Sequence, residues 1–129
     1  MSLAPYKSEQ SAKAPFIYLD SNGNFELKGK SILENTPFFY KPMFEWLDQY
    51  IQSPASQTVL NIQFDYFNTS ASKIIVDIFK KLEQVPKNGK GEAIVNWLYN
   101  QEDIDMLEAG EDYKSIIKIP FNLIPFKKS

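Results

Sequence analysis

The chain has no cysteine, no histidine and no arginine. Lack of cysteine excludes a disulfide frame, a thiolate nucleophile and a thiolate metal site, and lack of histidine removes the commonest metal ligand and general base. All 14 positive charges are lysine, and the formal net charge is -2. A chain with no guanidinium fork for bidentate grip on phosphate or guanine, and no basic excess, is not built for nucleic acid. Apolar runs stay well short of the roughly 18 residues that cross a bilayer. The segment from Met1 to Lys13 also lacks the apolar stretch of a signal peptide, so the expected location is the cytoplasm, without membrane insertion.

What is present is enough for one core. The 129 residues suit a single domain, and 43% are hydrophobic, with ten Phe and seven Tyr among them. Residues 1–14 mix Ser, Lys, Ala, Pro and Glu without periodicity and are expected to form a flexible arm, leaving 15–129 as the domain. Phe16-Ile-Tyr-Leu19 and Phe25-Glu-Leu27 predict two antiparallel strands, joined by a turn in which Asn22-Gly23 suits positive backbone angles. Thr36 or Asn35 can cap a helix starting at Pro37 and running to Ile51, with Phe39, Met43, Trp46, Leu47 and Tyr50 on one face and a kink or restart at Pro42. Phe38, Tyr40 and Phe44 lie off that face; Tyr40 and Phe44 are either exposed contact area or signs of a helix buried on two sides.

Thr58 to Phe67 alternates, with Leu60, Ile62, Phe64 and Tyr66 expected inward. Asn68-Thr-Ser70 follows, then a helix marked by Ala71, Ile74, Ile75, Ile78, Phe79 and Leu82. Beyond it the pattern predicts a strand at Ala93–Tyr99, a short acidic helix at Glu102–Glu108 stopping at Gly110, and a last strand at Ser115–Ile119. Helical crossovers make the later strands parallel, so the expected class is α/β: a mixed sheet with helices against one face.

These residues resemble the SiaC family of bacterial regulatory phosphoproteins, whose fold is similar to STAS domains such as the anti-sigma factor antagonists. The likeness runs from about Phe16 to Phe126. It is carried by Tyr66-Phe-Asn-Thr-Ser70 and Glu34-Asn35, supported by Phe39-Tyr40, Pro42, Trp46-Leu47 and Trp97-Leu-Tyr99. The resemblance implies a non-enzymatic switch. Thr69 would be phosphorylated by a cognate protein kinase and dephosphorylated by a metal-dependent phosphatase, and the unphosphorylated form would activate a diguanylate cyclase in cyclic di-GMP signalling.

Physical chemistry is compatible with that role, because a hydroxyl at a helix start lies near unpaired backbone donors and the positive end of the macrodipole. Asn68, Thr69 and Ser70 are also ordinary helix-capping residues; capping is kept here for Asn68 or Ser70. Ser70 and Ser72 remain alternative phosphoacceptors. Glu34 and Asn35, beside the aromatic helix, are expected either on the partner face together with Tyr40 and Phe44 or at the helix cap. Glu102, Asp103, Asp105, Glu108, Glu111 and Asp112 lack the glycine and ligand spacing of a calcium loop and read as a solvated helix face. No cofactor is expected. Two competing readings keep less support: an anti-sigma factor antagonist on the same fold, and a small hydrolase using paired carboxylates.

Overall fold

Period-two burial builds the sheet of this protein, for which a computed structural model describes residues 3–127. In order, the elements are β1 (Tyr6–Ser8), β2 (Phe16–Leu19), β3 (Asn24–Ser31), α1 (Thr36–Gln52), β4 (Gln57–Phe67), α2 (Thr69–Lys87), β5 (Glu92–Asn100), α3 (Ile104–Ile116) and β6 (Phe121–Phe126). The strands form one six-stranded sheet in the order β1-β2-β3-β4-β5-β6. β1, β2 and β3 pair antiparallel, and β3 through β6 are parallel. Each parallel step is made by a helical crossover to the next strand in the same direction, and crossovers of one hand then lay all helices on one face. The expected mixed sheet with one helical layer is the observed fold.

Apolar residues on that face form one core. Phe25 packs edge-on to Trp46 and Tyr50 beneath α1. Further along, Trp97 meets Phe67, Tyr113 and Phe121, while Phe79 meets the last two. The other face of the sheet carries no helix. Across it the Asn122 amide donates to Asn96 Oδ1 and the Asn96 amide to Asn61 Oδ1, both at 2.9 Å.

Six expectations are corrected. Within the segment read as a flexible arm, Tyr6–Ser8 is strand β1, paired with Ile17–Leu19, and Ala4 O accepts a 2.7 Å bond from the Trp46 indole. Backbone pairing on a sheet edge needs no apolar period, so nothing in that sequence announced it. Tyr66 points outward, because the β3–β4 register shifts so that Gly29 faces Phe64 and Lys30 faces Tyr66. The extra residue, Asp65, reverses the alternation and turns Phe67 toward the core.

The acidic helix does not stop at Gly110, and Ser115–Ile119 is not a strand: α3 continues to Ile116 and β6 begins at Phe121. Continuation carries Tyr113 into the core, where its hydroxyl donates to Ser72 O at 3.1 Å. Pro125 is accommodated because β6 is an edge strand. In the first hairpin only Gly23 takes a positive φ, at 100°, and Asn22 does not. α1 is a single helix through Pro42, without a restart.

Gly110 is where α3 touches the sheet. A Cβ at this position would lie 2.6 Å from Trp97 Cδ1 and 2.7 Å from Leu123 Cδ2. Trp97 cannot easily yield, since its indole donates to Met106 O at 2.9 Å and its ring stacks on Phe121. Gly110→Ala is therefore expected to destabilise: overpacking of about 1–3 kcal/mol outweighs the roughly 1 kcal/mol that alanine adds in helix propensity. Urea denaturation of the variant tests this, and an unchanged or higher midpoint would mean that the α3–sheet contact is loose.

Candidate functional site

At the edge where β3 and β4 end, two helices begin side by side. β3 leads through residues 32–35 into α1, and β4 leads directly through Asn68 into α2. Asn68 joins the two. Its backbone N–H donates to Ser31 O at 3.0 Å, its amide donates to Leu33 O at 3.2 Å, and its Oδ1 accepts from Ala71 N at 2.9 Å as the N-cap of α2. One side chain thus caps a helix and holds the neighbouring loop.

The hydroxyls next to Asn68 differ in their engagements. Ser70 Oγ donates to Thr36 Oγ1 at 2.9 Å, and Thr36 in turn donates to Leu33 O at 3.1 Å. Ser72 Oγ donates to Thr69 O at 2.6 Å. Thr69, the first residue of α2, is exposed, and among the described residues its hydroxyl has no hydrogen-bond partner. Of the three candidate phosphoacceptors it is the free one. The N–H groups of Thr69 and Ser70 likewise have no acceptor among the described residues, as expected in a first helical turn. Neither α1 nor α2 carries an acidic residue in its first turn, so both positive dipole ends are uncompensated there.

Glu34 and Asn35 are exposed in the loop before α1. Asn35 occupies the N-cap position without a side-chain cap bond, while Thr36 is buried and held by Leu33 and Ser70. Neither Glu34 nor Asn35 has a side-chain hydrogen-bond partner among the described residues, which leaves both free for an incoming surface.

Tyr40 is a correction: it is only 1% exposed and belongs to the core, not to a contact face. The buried stripe of α1 is Thr36, Tyr40, Met43, Leu47 and Tyr50, flanked by Trp46 and Ile51, rather than one centred on Phe39. The Tyr40 hydroxyl is paired with Ser31 Oγ at 2.9 Å, so the phenol is buried without an unmet bond. Phe44 is half-buried between α1 and α2. Phe38, placed off the apolar face by the sequence but given no contact role there, is 76% exposed in the first turn of α1. Its place off the apolar stripe was visible in the helical period, but exposure of a phenylalanine runs against its usual burial.

The acidic residues of α3 do not assemble into a site. Asp105, Glu108, Glu111 and Asp112 are exposed along the helix, and Asp103 caps it by accepting from Met106 N. No helix among the described residues is long and apolar enough to cross a membrane.

The family model described as SiaC family regulatory phosphoprotein matches residues 8–126. An uncharacterized protein of Pseudomonas aeruginosa strain UCBPP-PA14 is 23% identical over 99 residues, spanning 77% of this chain and 78% of the relative. Among solved structures, apo-SiaC of Pseudomonas aeruginosa superposes with a TM-score of 0.86 at 21% identity, covering 95% of this chain and 99% of that one. A second, at the same TM-score and identity and covering 94% and 99%, is SiaC of Pseudomonas aeruginosa in complex with the diguanylate cyclase SiaD, of which it is the activator.

Burial at this edge makes stability depend on alkaline pH. Desolvation pushes the Tyr40 phenol up from 10.0 to about 12, with the Ser31 hydrogen bond pulling the other way. The folded chain keeps this proton at a pH where the unfolded chain loses it. Stability from this group is therefore complete below pH 10 and falls as pH rises toward 12. Tyr40→Phe should cost about 1 kcal/mol at neutral pH and show a shallower alkaline decline. Urea melts of both proteins across that range provide the check; equal alkaline slopes would contradict it.

Proposed function

Since the chain belongs to the SiaC family of regulatory phosphoproteins, we propose that it is a non-enzymatic, cytoplasmic switch whose unphosphorylated form binds and activates a diguanylate cyclase. A cognate kinase phosphorylates Thr69, and a metal-dependent phosphatase reverses it. The observation that carries this reading is the state of Thr69: exposed, in the first turn of α2, with an unengaged hydroxyl beside two open backbone donors. Phosphate there adds roughly -1.5 to -2 charges where two helix dipoles are uncompensated, so the modified chain holds it without refolding. The same charge alters the surface that Glu34, Asn35 and Phe44 offer to a partner. Asn68 is the cap that holds Thr69 in place, and Ser70 and Ser72 are less available because their hydroxyls are engaged.

Mass spectrometry of the protein from its native host should find phosphate on Thr69. In pull-down or calorimetry with the cyclase encoded nearest to it, Thr69→Ala should bind as the unmodified chain does, and Thr69→Glu should lose about tenfold or more. Full binding by a stoichiometrically phosphorylated chain would sink the switch, and phosphate confined to Ser70 or Ser72 would move it.

A further inference from the structure

Between α1 and α2 runs an open groove of about 620 Å³, lined by Pro37, Phe38, Phe44 and Ile74 along its floor and by Lys41, Lys80 and Lys81 with Asp77 along its sides. We propose that this groove seats one amphipathic helix of a partner protein, apolar on the side that enters and carrying Glu or Asp beside its apolar stripe. Its control by Thr69 rests on the switch reading above; the groove itself does not.

Three observations select that occupant. The apolar floor includes Phe38, 76% exposed, an aromatic side chain held out to solvent in the first turn of a rigid helix. The groove also has the dimensions of helix packing. Its α1 wall runs eight residues from Pro37 to Phe44, and its α2 wall eleven residues from Ile74 to Gln84, rises of about 10 and 15 Å at 1.5 Å per step. That length suits two to three turns of a third helix presenting side chains at i, i+3 or i+4, and i+7.

Charge decides the third point. Lys81 is bound to Asp48 at 2.6 Å, but Lys41 and Lys80 have no salt-bridge partner among the described residues, and Asp77 is the single carboxylate in the lining. On a chain of formal charge -2, this groove keeps a positive excess. An acidic helix is attracted, and a basic one is refused. Thr69 precedes Ile74 by five residues, about 7.5 Å along the axis and roughly 140° around it, so a phosphate there would add negative charge beyond one end of the groove rather than inside it. Phosphorylation would then repel the same acidic helix that the lysines attract.

A displayed library of four-turn helices tests the assignment, with a fixed apolar stripe and flanking positions randomised among Glu, Gln and Lys, selected on the intact unphosphorylated chain. Enriched clones should be rich in Glu, should weaken about tenfold on Lys80→Glu, and should lose binding on Phe38→Ala. Both positions are exposed, so the variants fold, as far-ultraviolet circular dichroism will verify. Failure to enrich any helix, enrichment of neutral or Lys-rich clones, or binding indifferent to both substitutions would overturn the proposal. So would a dimer by sedimentation that Phe38→Ala dissolves, since a second copy would then fill the groove. Glu-rich clones that still bind after stoichiometric Thr69 phosphorylation would uphold the groove and reject the switch.

Discussion

Because β3 and β4 run parallel and each leads straight into a helix, α1 and α2 begin at the same end of the sheet, and most of what matters in this molecule follows from that geometry. The carboxyl ends of β3 and β4 are neighbours, so the chain enters both helices within a few ångströms of Asn68. Each helix start brings unpaired N–H groups. Asn68 answers part of that demand by accepting from Ala71 N, while its amide and the hydroxyls of Thr36 and Ser70 bind the loop before α1 to the start of α2. What they leave open is the exposed first turn at Thr69.

This arrangement separates rigidity from responsiveness. Asn68, Thr36 and Ser31 are held by paired bonds, and Tyr40 anchors the loop from below through Ser31. Thr69 rides on that frame with its side chain free. A charge added there meets fixed dipoles rather than a mobile segment, and its effect is on whatever approaches the surface. Local electrostatics of this size, 1–3 charge-assisted hydrogen bonds on one side and like-charge repulsion on the other, is enough to govern an interface without moving the core.

Much of this was legible in the sequence because long, strongly patterned elements reveal themselves. The alternation through Leu60, Ile62 and Phe64 and the period of Ile75, Ile78, Phe79 and Leu82 mark β4 and α2, and Asn68-Thr-Ser70 marks the joint between them. Failures came where tertiary contacts overrule local pattern. A single bulge at Asp65 reversed the fate of Tyr66 and Phe67. Gly110 reads as a helix stop by composition, yet it is the close-approach point that lets α3 lie on Trp97. At α1 the aromatic residues occupy so many positions that the buried stripe could be drawn through Phe39 or through Tyr40; the helix buries Tyr40, whose hydroxyl meets Ser31 at the end of β3.

The amide ladder on the bare face has a different significance. Hairpin turns dictate which residue faces which in antiparallel sheets, but the strands from β3 to β6 are joined by long helical crossovers that leave this alignment unfixed. Asn61, Asn96 and Asn122 stand opposite one another across three strands, and each link uses a donor from one amide and the oxygen of the next. Displacing one strand by a single residue would carry its asparagine to the helical side and set a core side chain in water. The ladder thus serves as an index mark, a polar gauge of strand alignment placed on the one surface that the helices do not police.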